Sequence, residues 1–274
     1  MRIALGLLSV AAVGILIALL LARRAGPALD RLPWLLPELA RQHVIIMGVL
    51  GGFSMTGLVV IVAFTRTPVE GTSAPLGVAV LMLVVAIQFF VSNAFLLSYL
   101  PTAEAAGEVV PRLHFSLCST IEYRTIFLSV FALIPLLRAH GLETPARILT
   151  LTIPVLLLFN TIVVAMIADG VGLVRFGETY VVAMIGVVLS GSFALFDRLW
   201  THEHPVEMST IAVSLAFFCF NGLSFAIVGL TPLAARYPGV RNFYDRHARR
   251  LAICDMQLTM MAQCLLWLAV SSII

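Results

Sequence analysis

Residues 76–100 read LGVAVLMLVVAIQFFVSNAFLLSYL, twenty-five positions without one charge. At ~1.5 Å per residue, a helix of this length crosses a hydrocarbon core of ~30 Å with room to tilt. A strand reading fails, because membrane strands alternate polar and apolar positions over about ten residues and this run does not. Similar runs lie on either side of it. The sequence predicts eight spans: Ile3 to Ala22, Val44 to Phe64, Leu76 to Leu100, Leu113 to Leu137, Ile148 to Ala168, Tyr180 to Trp200, Thr210 to Leu233 and Leu251 to Ile274.

Composition agrees. Hydrophobic residues make up 61% of the 274 positions and charged residues 11%, against ~25% charged in an ordinary soluble domain. With a mean hydropathy of +1.05, the chain is excluded from the soluble, disordered, collagen-like and disulfide-scaffold classes. Its fold class is an all-α polytopic membrane protein, expected as two parallel four-helix repeats, residues 1–140 and 141–274. All 17 basic residues are arginine. The lack of lysine excludes retinal Schiff-base pigments, lysine phosphate cradles and lysine nucleophiles. Cys118, Cys219, Cys254 and Cys264 lie in apolar runs without CxxC spacing and read as small buried residues.

The first run is too long for a secretory h-region and is followed by Arg23 and Arg24 where a cleavage site would need small residues, so it reads as a retained helix. Residues 26–42, with Trp34 among leucines, suit a segment lying in the membrane interface. Eleven arginines fall in the loops after the first, third, fifth and seventh spans, and five on the opposite side. That asymmetry puts the first group in the cytoplasm and both termini outside, in the cell (plasma or inner) membrane. The net charge of +3 reflects these loop-end arginines. The expected partners are the lipid bilayer and an ion or small-molecule substrate, without nucleic acid; a homo-oligomer fits the same reading.

The halves echo one another. Phe89-Phe90-Val91-Ser92-Asn93 parallels Phe217-Phe218-Cys219-Phe220-Asn221, and Leu100-Pro101 parallels Thr231-Pro232. Gly48 and Gly52 match Gly186 and Ser190 at the small-xxx-small spacing of close helix packing. Glu122 stands two before Arg124, as Asp255 stands two before Gln257.

Glu122 and Arg124 carry the most chemical information. Counted from Arg112, both fall near the middle of the bilayer, where a charge costs ~2.5–3.5 kcal/mol on insertion scales. Two positions on a helix are about 200° apart, so they point to opposite sides. Either this helix is enclosed by protein on both sides, or one residue pairs while the other faces a cavity. Asp255 lies five residues past Arg250, ~7 Å in from the cytoplasmic edge, where pairing with Arg249 or Arg250 would account for it. The expected transport or ion-binding network is Glu122, Arg124, Asp255 and Gln257, flanked by Asn93, Asn160 and Asn221, with Gln88, Ser92 and Ser224 as further neutral ligands. Intramembrane asparagines also serve as packing glue worth ~0.6 kcal/mol on average.

Other groups point to less. His202, Glu203, His204 and Glu207 alternate in an external loop but lack a third ligand at motif spacing, so no metal is expected. His43 and His114 open cytoplasmic helix ends, and nothing in their spacing fixes a haem geometry, so no cofactor is expected. No triad order, nucleophile elbow, P-loop or dinucleotide motif is present, and no catalytic residue is assigned. The run Gly51-Gly52-Phe53-Ser54-Met55, the helix end Leu100-Pro101-Thr102-Ala103-Glu104-Ala105 and the opening Arg112-Leu113-His114 resemble the first three helices of Orai-type calcium channels, over under a third of the chain. The stretch matching their pore helix, Val59 to Phe64, has no acid, so the resemblance does not imply calcium selectivity. The expected function is movement of an ion or small solute, as a channel or transporter. The alternatives are an assembly subunit of a membrane complex and an intramembrane enzyme acting on a lipid-like substrate.

Overall fold

A computed structural model describes residues 36–64, 73–150, 152, 167, 169–174, 181 and 221–271. The described residues are helical, with no strand among them. Helix α1 spans Leu36–Phe64, α2 Ser73–Ser98, a short α3 Leu100–Glu104 and α4 Val109–Ala139. Residues 221–230 are helical and lead into a 3-10 turn at Thr231–Ala235, followed by α5, Pro238–Ser271. Three helices are long and apolar enough to cross a membrane: Leu36–Ala63, Leu76–Ser98 and Val109–Ala139. The expected spans Ile3 to Ala22, Tyr180 to Trp200 except Val181, most of Ile148 to Ala168 and residues 210–220 of Thr210 to Leu233 lie outside the described residues, as do Asn160, Gly186, Ser190 and the 202–207 loop.

Helix α1 begins eight residues before the expected start at Val44. Pro37 in its first turn gives up an N–H that a helix start leaves unbonded anyway, and Glu38 sits where the helix dipole favours an acid. Part of the stretch expected to lie in the interface is therefore continuous with α1. Proline sets both junctions further on. Pro101 stands in the first turn of α3, just after α2 stops, and Pro232 in the first turn of the 3-10 segment that follows helical residues 221–230. Pro135, in contrast, is accommodated inside α4 one turn from its end. Gly141, at φ +71°, closes α4: its N–H donates to the Arg138 carbonyl and that of Leu142 to the Leu137 carbonyl, both at 2.9 Å. This is the pattern in which a left-handed residue satisfies the last orphan carbonyls.

Helix α4 lies at the centre. It packs on α2 and α5, while α1 packs on α2 and touches α4. Almost every side chain from Val110 to Thr125 is buried. Met47 meets Asn93 and Gly51 meets Phe90, so α1 and α2 run antiparallel. The proline-started segments α3 and Thr231–Ala235 pack on each other, so α4 and α5 leave from a common end and run the same way. His114 bolts that end, with Nε2 2.8 Å from the Leu96 carbonyl and Nδ1 2.5 Å from Thr231 Oγ1.

Candidate functional site

Glu122 is thirteen residues into α4, ~20 Å along a helix ~46 Å long. It and Arg124 leave the helix on opposite sides, and both sides are occupied by protein. The two charges therefore belong to separate clusters.

Towards α1, Phe115, Glu122 and Ser129 fall on one face at helical spacing. The Glu122 carboxylate is bonded to His43 Nδ1; its side chain is 3% exposed and that of His43 15%. The His43 ring meets Phe115 edge-on, 5.2 Å between centroids and 83° between planes, which restricts its rotation. Further along, Ser54 and Ser129 are 3.3 Å apart. Asn93 fixes α2 to this layer by donating to the Cys118 carbonyl at 2.8 Å, with Met47 Sδ at 3.1 Å.

Towards α5, Arg124 is fully buried and its Nη2 is 2.9 Å from Asp255 Oδ1 and 2.8 Å from Ser224 Oγ. The hydroxyls of Ser224 and Thr120 both donate to the Asp255 carboxylate. Guanidinium and two hydroxyls thus converge on one carboxylate, a charge-assisted arrangement among the stronger hydrogen-bonded sets in a low-dielectric interior. Thr259 donates instead to the Asp255 backbone carbonyl at 2.7 Å.

The single central network expected from the sequence is thus divided. Arg124 and Asp255 come together, Glu122 does not join them, and Asn93 lies in the α1–α2–α4 layer. Gln257 is fully buried but about 200° around α5 from Asp255, facing away from its carboxylate. Asn221 is fully buried one turn before Ser224. Asp255 does not need Arg249 or Arg250, because α5 continues unbroken through them and brings it level with Thr120 and Arg124. Among the described residues, nothing lies within 4 Å of a Cβ built at Gly48 or Gly52. Gly51 is the one that faces α2, 3.5 Å from Phe90 Cβ.

Two participants went unassigned in the sequence. Thr120 is one turn before Arg124 on the same face, a spacing that could have found it. His43 is 79 residues from Glu122, and no local pattern links them. Among the described residues, no group of three or more His, Cys, Asp or Glu could hold a metal ion. No known family, curated protein or solved structure matches the chain, so the Orai-type resemblance has no support beyond its short motifs.

Proposed function

We propose that this membrane protein moves an ion or small solute across the bilayer, with His43 and Glu122 as its proton-exchanging pair and Arg124–Asp255 as a fixed brace. The observation that carries this reading is the contact between a buried carboxylate and an imidazole on another helix that retains some exposure. Histidine changes charge near neutral pH, and an intramembrane carboxylate is a functional site by default. A proton taken up by His43 can pass to Glu122: the N–H bond breaks, the O–H bond forms, and the pair becomes neutral in oil. Among the described residues, Cys118 and Tyr123 on α4 also lie within the field of Glu122. On the α2 side Asn93 is neutral, and Arg124–Asp255 lies across the helix. The arginine asymmetry supports a cell-membrane location with both termini outside.

Reconstitution in liposomes under a pH gradient tests this. Glu122→Gln is expected to abolish proton-dependent flux, and unchanged flux in that variant refutes the assignment. A second reading, an assembly subunit, is favoured by the fact that Glu122 and Arg124 are both met by protein groups. It predicts partners that co-purify and no flux from the protein alone.

A further inference from the structure

Residues 236–250 hold five arginines, Arg236, Arg241, Arg246, Arg249 and Arg250, against one acid, Asp245. Arg241 and Asp245 answer each other, with Nε 3.7 Å from Oδ2. The Arg241 guanidinium also lies over Gly107, where φ is +106° and a Cβ would fall 2.8 Å from Nη2. The rest of the charge faces out. Phe243, Arg246 and Arg250 follow one another at spacings of three and four, which is one face of α5, and all three are exposed. Tyr244 and Ala248, on the other side, are buried. Arg246 donates through Nε to the Asn242 carbonyl at 3.1 Å, which holds its guanidinium on the outer face.

This face lies at one end of the membrane helices. Thr120 meets Asp255 at an offset of 135 residues on helices that run the same way. Residues 246–250 are therefore about level with 111–115, the first two turns of α4. Helix α4 is ~46 Å long against a hydrocarbon core of ~30 Å, so its end turns reach the headgroups. Exposed aromatic rings mark the same end: Tyr99 after α2, Tyr237 before α5 and Phe243 on it are 39%, 57% and 49% exposed. Aromatic rings beside arginines are what the membrane–water interface favours.

We propose that Phe243, Arg246 and Arg250, with Arg236 and Tyr237 in the turn before the helix, bind the headgroups of anionic phospholipids. A guanidinium pairs with two phosphate oxygens at once. A zwitterionic headgroup brings its own cation, which offsets that attraction, whereas an anionic one leaves a net charge for the arginines to meet. The exposed rings favour a lipid over a dissolved anion, because a free phosphate offers them no acyl boundary to enter. Such a site holds whether or not the protein moves a solute.

The full chain in nanodiscs of phosphatidylcholine, alone or mixed with rising proportions of phosphatidylglycerol, is unfolded thermally. The wild-type Tm is expected to rise with the phosphatidylglycerol share, and the rise to shrink as salt is added. The double variant Arg246→Gln/Arg250→Gln changes two exposed side chains. It is expected to keep the wild-type Tm in phosphatidylcholine and to lose most of the rise. Arg147→Glu, exposed beyond the far end of α4, alters net charge by the same two units and is expected to keep it. No rise, an equal rise in the double variant, an equal loss in Arg147→Glu, or the same rise from inorganic phosphate in phosphatidylcholine discs overturns the site. Should the double variant not fold, a high-resolution map of the wild-type protein in the mixed discs decides. Headgroup phosphate density beside Arg246 and Arg250 is expected, and lipid density confined to other faces overturns the proposal.

Discussion

On the face of α4 that meets α5, a fully buried arginine is held against a carboxylate 4% exposed, with two hydroxyls completing that carboxylate's bonding. On the face that meets α1, two residues away, a buried glutamate has one imidazole partner, still 15% exposed. The first cluster joins three parts of the chain: α4, α5 and helical residues 221–230. The second joins only α1 and α4, through a single contact between carboxylate and imidazole. One helix thus carries a guanidinium–carboxylate cluster on one side and a carboxylate–imidazole pair on the other, kept apart by the 200° between residues two positions apart. Neutralising either member of the brace leaves its partner as an isolated buried charge.

The largest effect expected from breaking this contrast is at Arg124. Arg124→Ala strands Asp255 and should cost about 3–5 kcal/mol, read as a large fall in Tm. Joining it with Asp255→Leu should recover much of the loss, and a double-mutant cycle measures how much. Thr120→Val removes one of the donors to the Asp255 carboxylate and should cost about 1–3 kcal/mol, leaving the pH dependence of flux unchanged. Replacing His43 with glutamine sharpens the comparison from the other side. That variant should lose about 1 kcal/mol or less of stability, in line with one hydrogen bond, and lose proton-driven flux. A large Tm fall in His43→Gln, with that flux intact, would make the α1 face a second brace.

The smallest effect lies outside both faces. Tyr244, in the polar first half of α5, donates to the Ile227 carbonyl at 2.7 Å, and burial pushes its phenol up to about 12. An unfolded tyrosine ionises near pH 10. The contribution of Tyr244 is therefore full below pH 10 and falls as pH rises from 10 towards 12, where the unfolded chain releases its proton first. Tyr244→Phe should flatten that part of the stability–pH curve, as read by unfolding between pH 9 and 11.

Much of the helical plan was legible because it depends on local quantities. Uncharged runs name membrane helices by length, Pro101 and Pro232 mark where they break, and helical geometry alone separates Glu122 from Arg124. The start of α1 was less legible, because polar residues around Arg41 and Gln42 look like a loop although Pro37 and Glu38 suit a helix start. Asp255 was expected to pair with Arg249 or Arg250 because they precede it on one run. In the fold all three ride on one unbroken helix, and the carboxylate meets Arg124, Ser224 and Thr120, partners that come from other segments.

By itself the sequence determined that this chain is an α-helical membrane protein and that its central helix must satisfy two charges on opposite sides. Composition and a 100° step per residue are enough for that. Only the tertiary structure decided which groups meet them: His43 from 79 residues upstream for Glu122, and Asp255 with Ser224 for Arg124. Partnership in a membrane is set by which helices lie side by side and at what depth, and both arise from packing across the bundle, for which no single segment carries a local signal.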